Sequence, residues 1–129
     1  MAELSYVNIF ARDIEGLCRF YVELFGFPEI PQVRSPIFRA VQSGTCRIGF
    51  NAVDAYQLLN LADRADTKGV KFMLTVEVGS AEEVDRLVAV AQTKRASVVK
   101  EPYRTAYKSY QAVLFDPEGN VVRINANAG

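Results

Sequence analysis

The chain repeats itself, and the repeat restricts the fold more than any other feature. Tyr6-Val7-Asn8-Ile9 and Met73-Leu74-Thr75-Val76 both alternate as strands, and each leads into a helix at the same offset. Asp13 corresponds to Ser80 as the helix cap, and Leu17 to Val84 on the apolar stripe. Two copies of one strand–helix unit must each bury an amphipathic helix against their own strands.

In the first copy Ile14, Leu17, Cys18, Tyr21, Leu24 and Phe25 recur at helical spacing, and Gly26 supplies a stop. Phe20, Phe25 and Phe27 read as core packing. Strand-like pieces follow at about 29–33, 36–42 and 45–51, with Ser43-Gly44 as a hairpin turn. In the second copy a strand over 71–78 leads to Ser80, and Glu83 completes a capping box. Val84, Leu87, Val88 and Ala91 form the helical stripe. Strands are predicted at about 97–101, 107–115 and 121–125, the last two separated by the turn Asp116-Pro117-Glu118-Gly119-Asn120. The chain therefore reads as α+β, with two tandem βαβββ modules at about 4–52 and 70–126 in one domain over 1–129. The connector, 53–69, begins as a short helix around Tyr56, Leu58, Leu59 and Leu61 and ends in a polar, exposed stretch.

The bulk properties exclude several function classes. Lysine plus arginine balance aspartate plus glutamate at 15 each, so no basic field exists to attract nucleic acid. The first ten residues carry no cationic stretch and no long apolar run, so no signal peptide is expected. No segment approaches the ~20 apolar residues that span a bilayer. Cys18 and Cys46 lack CxxC spacing and are expected to be reduced packing residues. A cytoplasmic protein is expected. There is no histidine at all. That removes the commonest ligand for catalytic transition metals and the commonest acid/base group near neutral pH.

Three stretches carry a family resemblance. They are Val7-Asn8-Ile9-Phe10-Ala11-Arg12-Asp13 leading into Arg19-Phe20-Tyr21-Val22-Glu23-Leu24-Phe25-Gly26-Phe27, the strand from Met73 into the helix capped by Ser80, and Leu114-Phe115-Asp116-Pro117-Glu118-Gly119-Asn120-Val121-Val122-Arg123-Ile124. In this order they resemble the glyoxalase/bleomycin-resistance/extradiol-dioxygenase superfamily, the vicinal oxygen chelate proteins. The resemblance implies that each module curls its strands into an open half-barrel, two of which enclose a cavity. It also implies a homodimer.

The resemblance places the family's metal ligands on Tyr6, near Gly49 with Asn51 the next inward residue, on Met73 and on Arg123. These residues suit a divalent cation badly. Glycine has no donor, neutral tyrosine is a poor ligand, a thioether prefers soft metals, and arginine repels a cation. No metal and no cofactor are expected. Family members without metal, of the bleomycin-resistance type, hold planar or amphipathic molecules in the groove.

Alternation puts Tyr6, Asn8 and Phe10 on one face of the first strand, and Met73, Thr75 and Glu77 on the matching face of the fifth. Arg47, Gly49 and Asn51 share a face, as do Val121 and Arg123. So mixed a face reads as a binding groove rather than a core. Arg123 either anchors an anion or pairs internally with Glu77 or Glu101. Arg47 is expected to be exposed. Tyr103 and Tyr107 are expected to form a flap, against the alternative of an ordinary tyrosine-rich strand that also includes Tyr110. Glu77 is either a solvated strand-end carboxylate or a general base. Cys18, without a histidine to activate it, reads as packing.

The expected function is metal-independent binding of a small organic molecule, aromatic or anionic, such as an antibiotic, with contacts from Tyr6, Asn8, Asn51, Met73, Tyr107 and Arg123. The alternative is a glyoxalase-like lyase or isomerase, or a dioxygenase-related enzyme, that works without the family's usual metal, using Glu77 or Tyr6 as base and Arg123 to stabilise an enolate. A third possibility is a dimerisation or regulatory module whose cavity is filled by its own side chains. No nucleic-acid or membrane partner is expected.

Overall fold

A computed structural model describes residues 3–66, 68–106 and 108–127. The chain divides into two compact units between residues 67 and 68. The fold is α+β, and each unit is one open sheet with a helix on one face.

In the first unit β1 (Tyr6–Ala11) leads to α1 (Ile14–Phe25), then β2 (Phe38–Ser43) and β3 (Cys46–Ala52). The sheet order is β1-β3-β2, with β1 parallel to β3 and β2 antiparallel to it. The Asp13 side chain caps α1 by accepting from Gly16 N at 3.0 Å. Gly26, at φ 73°, ends the helix in the left-handed conformation that glycine adopts without penalty. Ile14, Leu17, Cys18, Phe20, Tyr21 and Leu24 are all buried. They pack on a sheet face where the Tyr21 and Phe50 rings stack at 5.5 Å. Phe25 and Phe27 are only half-buried and stack on each other at 5.4 Å.

The strand predicted over 29–33 does not form. Glu29 makes one isolated bridge to Val41, and Pro31–Val33 is a 3-10 turn. Pro31 has no N–H for a ladder and sits naturally in the first turn of a helix. The first unit is therefore βαββ with a vestige of the extra strand. In the connector, α2 (Asp54–Leu58) follows β3 as expected, and a 3-10 turn covers Ala62–Arg64.

In the second unit β4 (Met73–Glu77) leads to α3 (Ala81–Gln92), β5 (Ser97–Arg104), β6 (Ser109–Phe115) and β7 (Val121–Asn127). The order is β4-β7-β6-β5, again with the first and last strands parallel. Ser80 Oγ accepts from Glu83 N at 3.1 Å. The Glu83 carboxylate turns to Arg86, which holds its pKa below the usual range through hydrogen bonds of 2.6 and 2.9 Å. Val84, Leu87, Val88 and Ala91 are buried against the sheet, where Ala112, Leu114, Val122, Ile124 and Ala126 meet them. The β6–β7 turn is built on buried Asp116, which accepts from the backbone N of both Glu118 and Asn120 at 2.9 Å. β5 runs three residues past its expected end. It is an edge strand with two register shifts and a proline, Pro102, features that edge strands tolerate.

Candidate functional site: the sheet faces away from the helices

Pleating sends Ile9, Val41, Ile48 and Phe50 of the first sheet toward α1, which leaves the alternate residues on the opposite face. Tyr6, Asn8 and Phe10 of β1 share that face with Arg47, Gly49 and Asn51 of β3 and Phe38 and Gln42 of β2. The structure puts three of the expected contacts, Tyr6, Asn8 and Asn51, on this face, in separate hydrogen-bonded groups. Asn51 Nδ2 donates to Asn8 Oδ1 at 3.0 Å. Arg47 donates through Nε to Gln42 Oε1 at 2.9 Å and through Nη1 to the Tyr6 hydroxyl at 3.2 Å.

Arg47 is thus half-buried and bonded, contrary to the expected exposed side chain. Its partner Gln42 sits directly across the hairpin, so position near a turn did not free it. Gly49 is buried at the centre of this face. A Cβ there would strike Asn8 Oδ1 and come within 2.8 Å of the Phe38 ring. At the end of the face Phe10 stacks on Tyr56 of α2 at 4.0 Å.

The corresponding face of the second sheet is ordered in rungs. Met73 is opposite Val121, and Val121 opposite Phe115. One rung on, Thr75 is opposite Arg123, and Arg123 opposite Val113. The next rung runs across all four strands as Glu77, Asn125, Gln111 and Tyr103. Its polar groups bond along the rung. Asn125 Nδ2 donates to the two Glu77 oxygens at 3.2 and 3.0 Å, and Gln111 Nε2 donates to the Tyr103 hydroxyl at 2.7 Å. Asn125 and Gln111 are buried, and among the described residues Asn125 Oδ1 has no hydrogen-bond partner.

Arg123 and Met73 both lie on this face, Met73 exposed and Arg123 half-buried. Arg123 Nε donates to Thr75 Oγ1 at 3.2 Å. Among the described residues it forms no ion pair with Glu77 or Glu101, so the internal-pair alternative does not hold there. Tyr103 is a paired member of β5 with Lys100 Nζ 3.8 Å from its ring centre, not part of a flap. Tyr110 belongs to β6 and donates to Asp85 of α3 at 2.7 Å, a carboxylate that holds the phenol above its usual range. Tyr107 lies outside the described residues.

Sequence reasoning missed Gln111 and Asn125. The signal was available: Asn125 is two residues beyond Arg123 in a strand, so it must share its face.

Two further recesses are seen among the described residues. One of about 310 Å³ is lined by Val53, Tyr56, Gln57, Ala62 and Ala65. The other, about 270 Å³, lies beside α1 and β2. Both of its glutamates pair with arginines that line it, Glu29 with Arg34 at 2.5 Å and Glu15 with Arg39 at 3.0 Å.

The family model for the glyoxalase/bleomycin resistance protein/dioxygenase superfamily matches residues 3–124. The chain belongs to this superfamily. A superfamily enzyme from Burkholderia phytofirmans PsJN is 53% identical, with a TM-score of 0.95 over 98% of this chain and 99% of that one. A glyoxalase-related enzyme from Fulvimarina pelagi shares 17% identity, with a TM-score of 0.87 over 98% and 89% of the two chains. Lactoylglutathione lyase from Agrobacterium tumefaciens also shares 17%, with a TM-score of 0.71 over 99% and 96%. At such identities these last two show the fold alone. No curated protein matches the chain.

The superfamily's metal-dependent members raise the question of whether the residues present fit a divalent ion. They do not. The ligand positions implied by the resemblance hold a tyrosine bonded to Arg47, a glycine, an exposed thioether and a guanidinium bonded to Thr75. Among the described residues no three His, Cys, Asp or Glu side chains gather. A fixed cation at Arg123 opposes a second positive charge beside it.

Proposed function

We propose that this superfamily member binds a small organic molecule without a metal, in the manner of bleomycin-resistance proteins, through the sheet faces turned away from the helices. The observation that carries this reading is Arg123. A guanidinium stands where the resemblance implies an acidic metal ligand, and it can receive an anionic group directly. Tyr6, Asn8 and Asn51 on the first sheet, Met73 on the second and Tyr107 supply the other proposed contacts. Aromatic and amide groups of this kind suit a planar ligand, including an antibiotic or other aromatic toxin.

The test is titration calorimetry of the intact protein against a broad panel of planar aromatic and anionic compounds. Micromolar binding that survives exhaustive chelation and weakens at least tenfold in Arg123→Ala is expected. A well-folded preparation that binds nothing in the panel defeats the reading.

An enzymatic reading is favoured by one observation: the 53% identical Burkholderia phytofirmans protein is described as an enzyme. In that case the reaction is a metal-free lyase or isomerase step, with Glu77 or Tyr6 as base and Arg123 stabilising the developing oxyanion. Turnover of a bound compound, abolished by Glu77→Gln or Arg123→Ala, separates this from binding alone.

The protein is further proposed to act in the cytoplasm as a homodimer. Among the described residues no helix is long and apolar enough to cross a membrane. Sedimentation equilibrium checks the dimer.

A further inference from the structure

Two opposite charges stand on adjacent rungs of the second sheet without meeting. Thr75 pairs with Arg123 and Glu77 with Asn125, so Arg123 and Glu77 share a face, one rung apart. The rise per residue puts adjacent rungs about 6.6 Å apart. Side chains this long span such a gap easily, yet no ion pair joins the two among the described residues. Each is held by a neutral neighbour instead, Arg123 Nε by Thr75 and both Glu77 oxygens by Asn125 Nδ2. The terminal nitrogens of Arg123 have no protein partner among the described residues.

Asn125 shows which contact dominates. It is 8% exposed, and among the described residues its Oδ1 is a buried acceptor without a donor. Turning the amide over would aim that oxygen at the Glu77 carboxylate, so the amide is committed to Glu77. A buried acceptor left unpaired costs free energy. The arrangement bears that cost and fixes an exposed carboxylate that would otherwise move freely in water.

We propose that this face receives a zwitterionic amine–carboxylate of the amino-acid class. Its carboxylate meets the free end of Arg123 and its ammonium meets Glu77. Asn125 is a positioning residue that holds Glu77, and the Met73–Val121–Phe115 rung takes an apolar side chain. This rests on the reading of the face as a small-molecule site. A carboxylate without an amine faces the uncompensated charge of Glu77, and an amine without a carboxylate faces that of Arg123. Selection for the zwitterion therefore comes from repulsion as well as attraction.

The experiment titrates the full chain with L-phenylalanine, 3-phenylpropanoate and phenethylamine, which share the ring and differ in charge. L-phenylalanine is expected to bind at least tenfold more tightly than either. Arg123→Gln and Glu77→Gln, both at accessible side chains, should each weaken it tenfold or more. Asn125→Leu should weaken L-phenylalanine while leaving 3-phenylpropanoate unchanged, whereas a folding defect would weaken both. Equal affinity for the three probes, or L-phenylalanine binding unmoved by Glu77→Gln, overturns the proposal. If none of the three binds while other planar compounds do, the zwitterion proposal fails and the binding function stands. If nothing binds at all, both fall.

Discussion

The side-chain amide of Asn51 donates to Asn8 Oδ1 at 3.0 Å, beside the bare backbone of Gly49. A Cβ on residue 49 would strike that oxygen and crowd the Phe38 ring at 2.8 Å. Gly49→Ala is expected to cost about 1–3 kcal/mol, the usual range for overpacking a tight site. Urea unfolding measures it. An unchanged midpoint would mean that Asn8 and Phe38 move aside freely.

Asn125→Asp keeps the shape of the side chain and replaces the donor beside Glu77 with a second carboxylate. Two like charges so close raise one pKa of the pair above the unfolded value of about 4. A raised folded pKa gives full stability below the unfolded value and loses it as pH climbs. The variant should therefore match the parent near pH 4 and fall about 1–3 kcal/mol below it at pH 7. Adding Glu77→Gln should restore most of the loss. Melting of parent and variants across this range checks the difference, and a constant gap at all pH values would refute the charge argument.

Asp116 holds the β6–β7 turn with bonds to Glu118 N, Asn120 N and Asn120 Nδ2. Asp116→Ala leaves several donors without their acceptor and is expected to cost about 2–4 kcal/mol, given that bonds to charged groups are worth about 1.5–3 kcal/mol each and are not additive. Chemical denaturation reads this directly. A loss under half a kilocalorie, well below that of about one such bond, would show that water replaces the carboxylate.

Burial, followed by the nearby Glu29 carboxylate, pushes the Cys18 thiol from 9.0 to about 11. The unfolded chain sheds this proton first, so stability is intact below pH 9 and declines from there toward 11. At pH 8 a thiol reagent should modify half-buried Cys46 well before buried Cys18. Peptide mapping after partial labelling decides it, and equal labelling would contradict the burial.

Much of this was legible in the residues. Capping by Asp13 and Ser80, the stop at Gly26 and the Asp116 turn are local chemistry, written in a few adjacent positions. Period-two alternation also put Arg123, Met73 and Tyr6 on faces away from the helices. The differences have two physical causes. Glu29–Val33 alternates like a strand but contains Pro31, whose missing N–H leaves only a bridge at Glu29. The partners of Arg47 and Tyr103, Gln42 and Gln111, are set by cross-strand register and not by neighbours in sequence. Register also decided that Arg123 rests on Thr75 rather than on either candidate glutamate.

In both units the opening strand waits for the closing one. Tyr6 finds Arg47 only 41 positions later, and Thr75 finds Arg123 only 48 positions later. Such distant parallel pairing is slow to nucleate, because a long loop must close before any ladder rewards it. During synthesis the earlier unit has all its strands once Ala52 emerges, while β4 must remain unpartnered until the ribosome has delivered β7. The chain is thus suited to mature in two instalments, and the later one is the interval in which it most needs protection from aggregation.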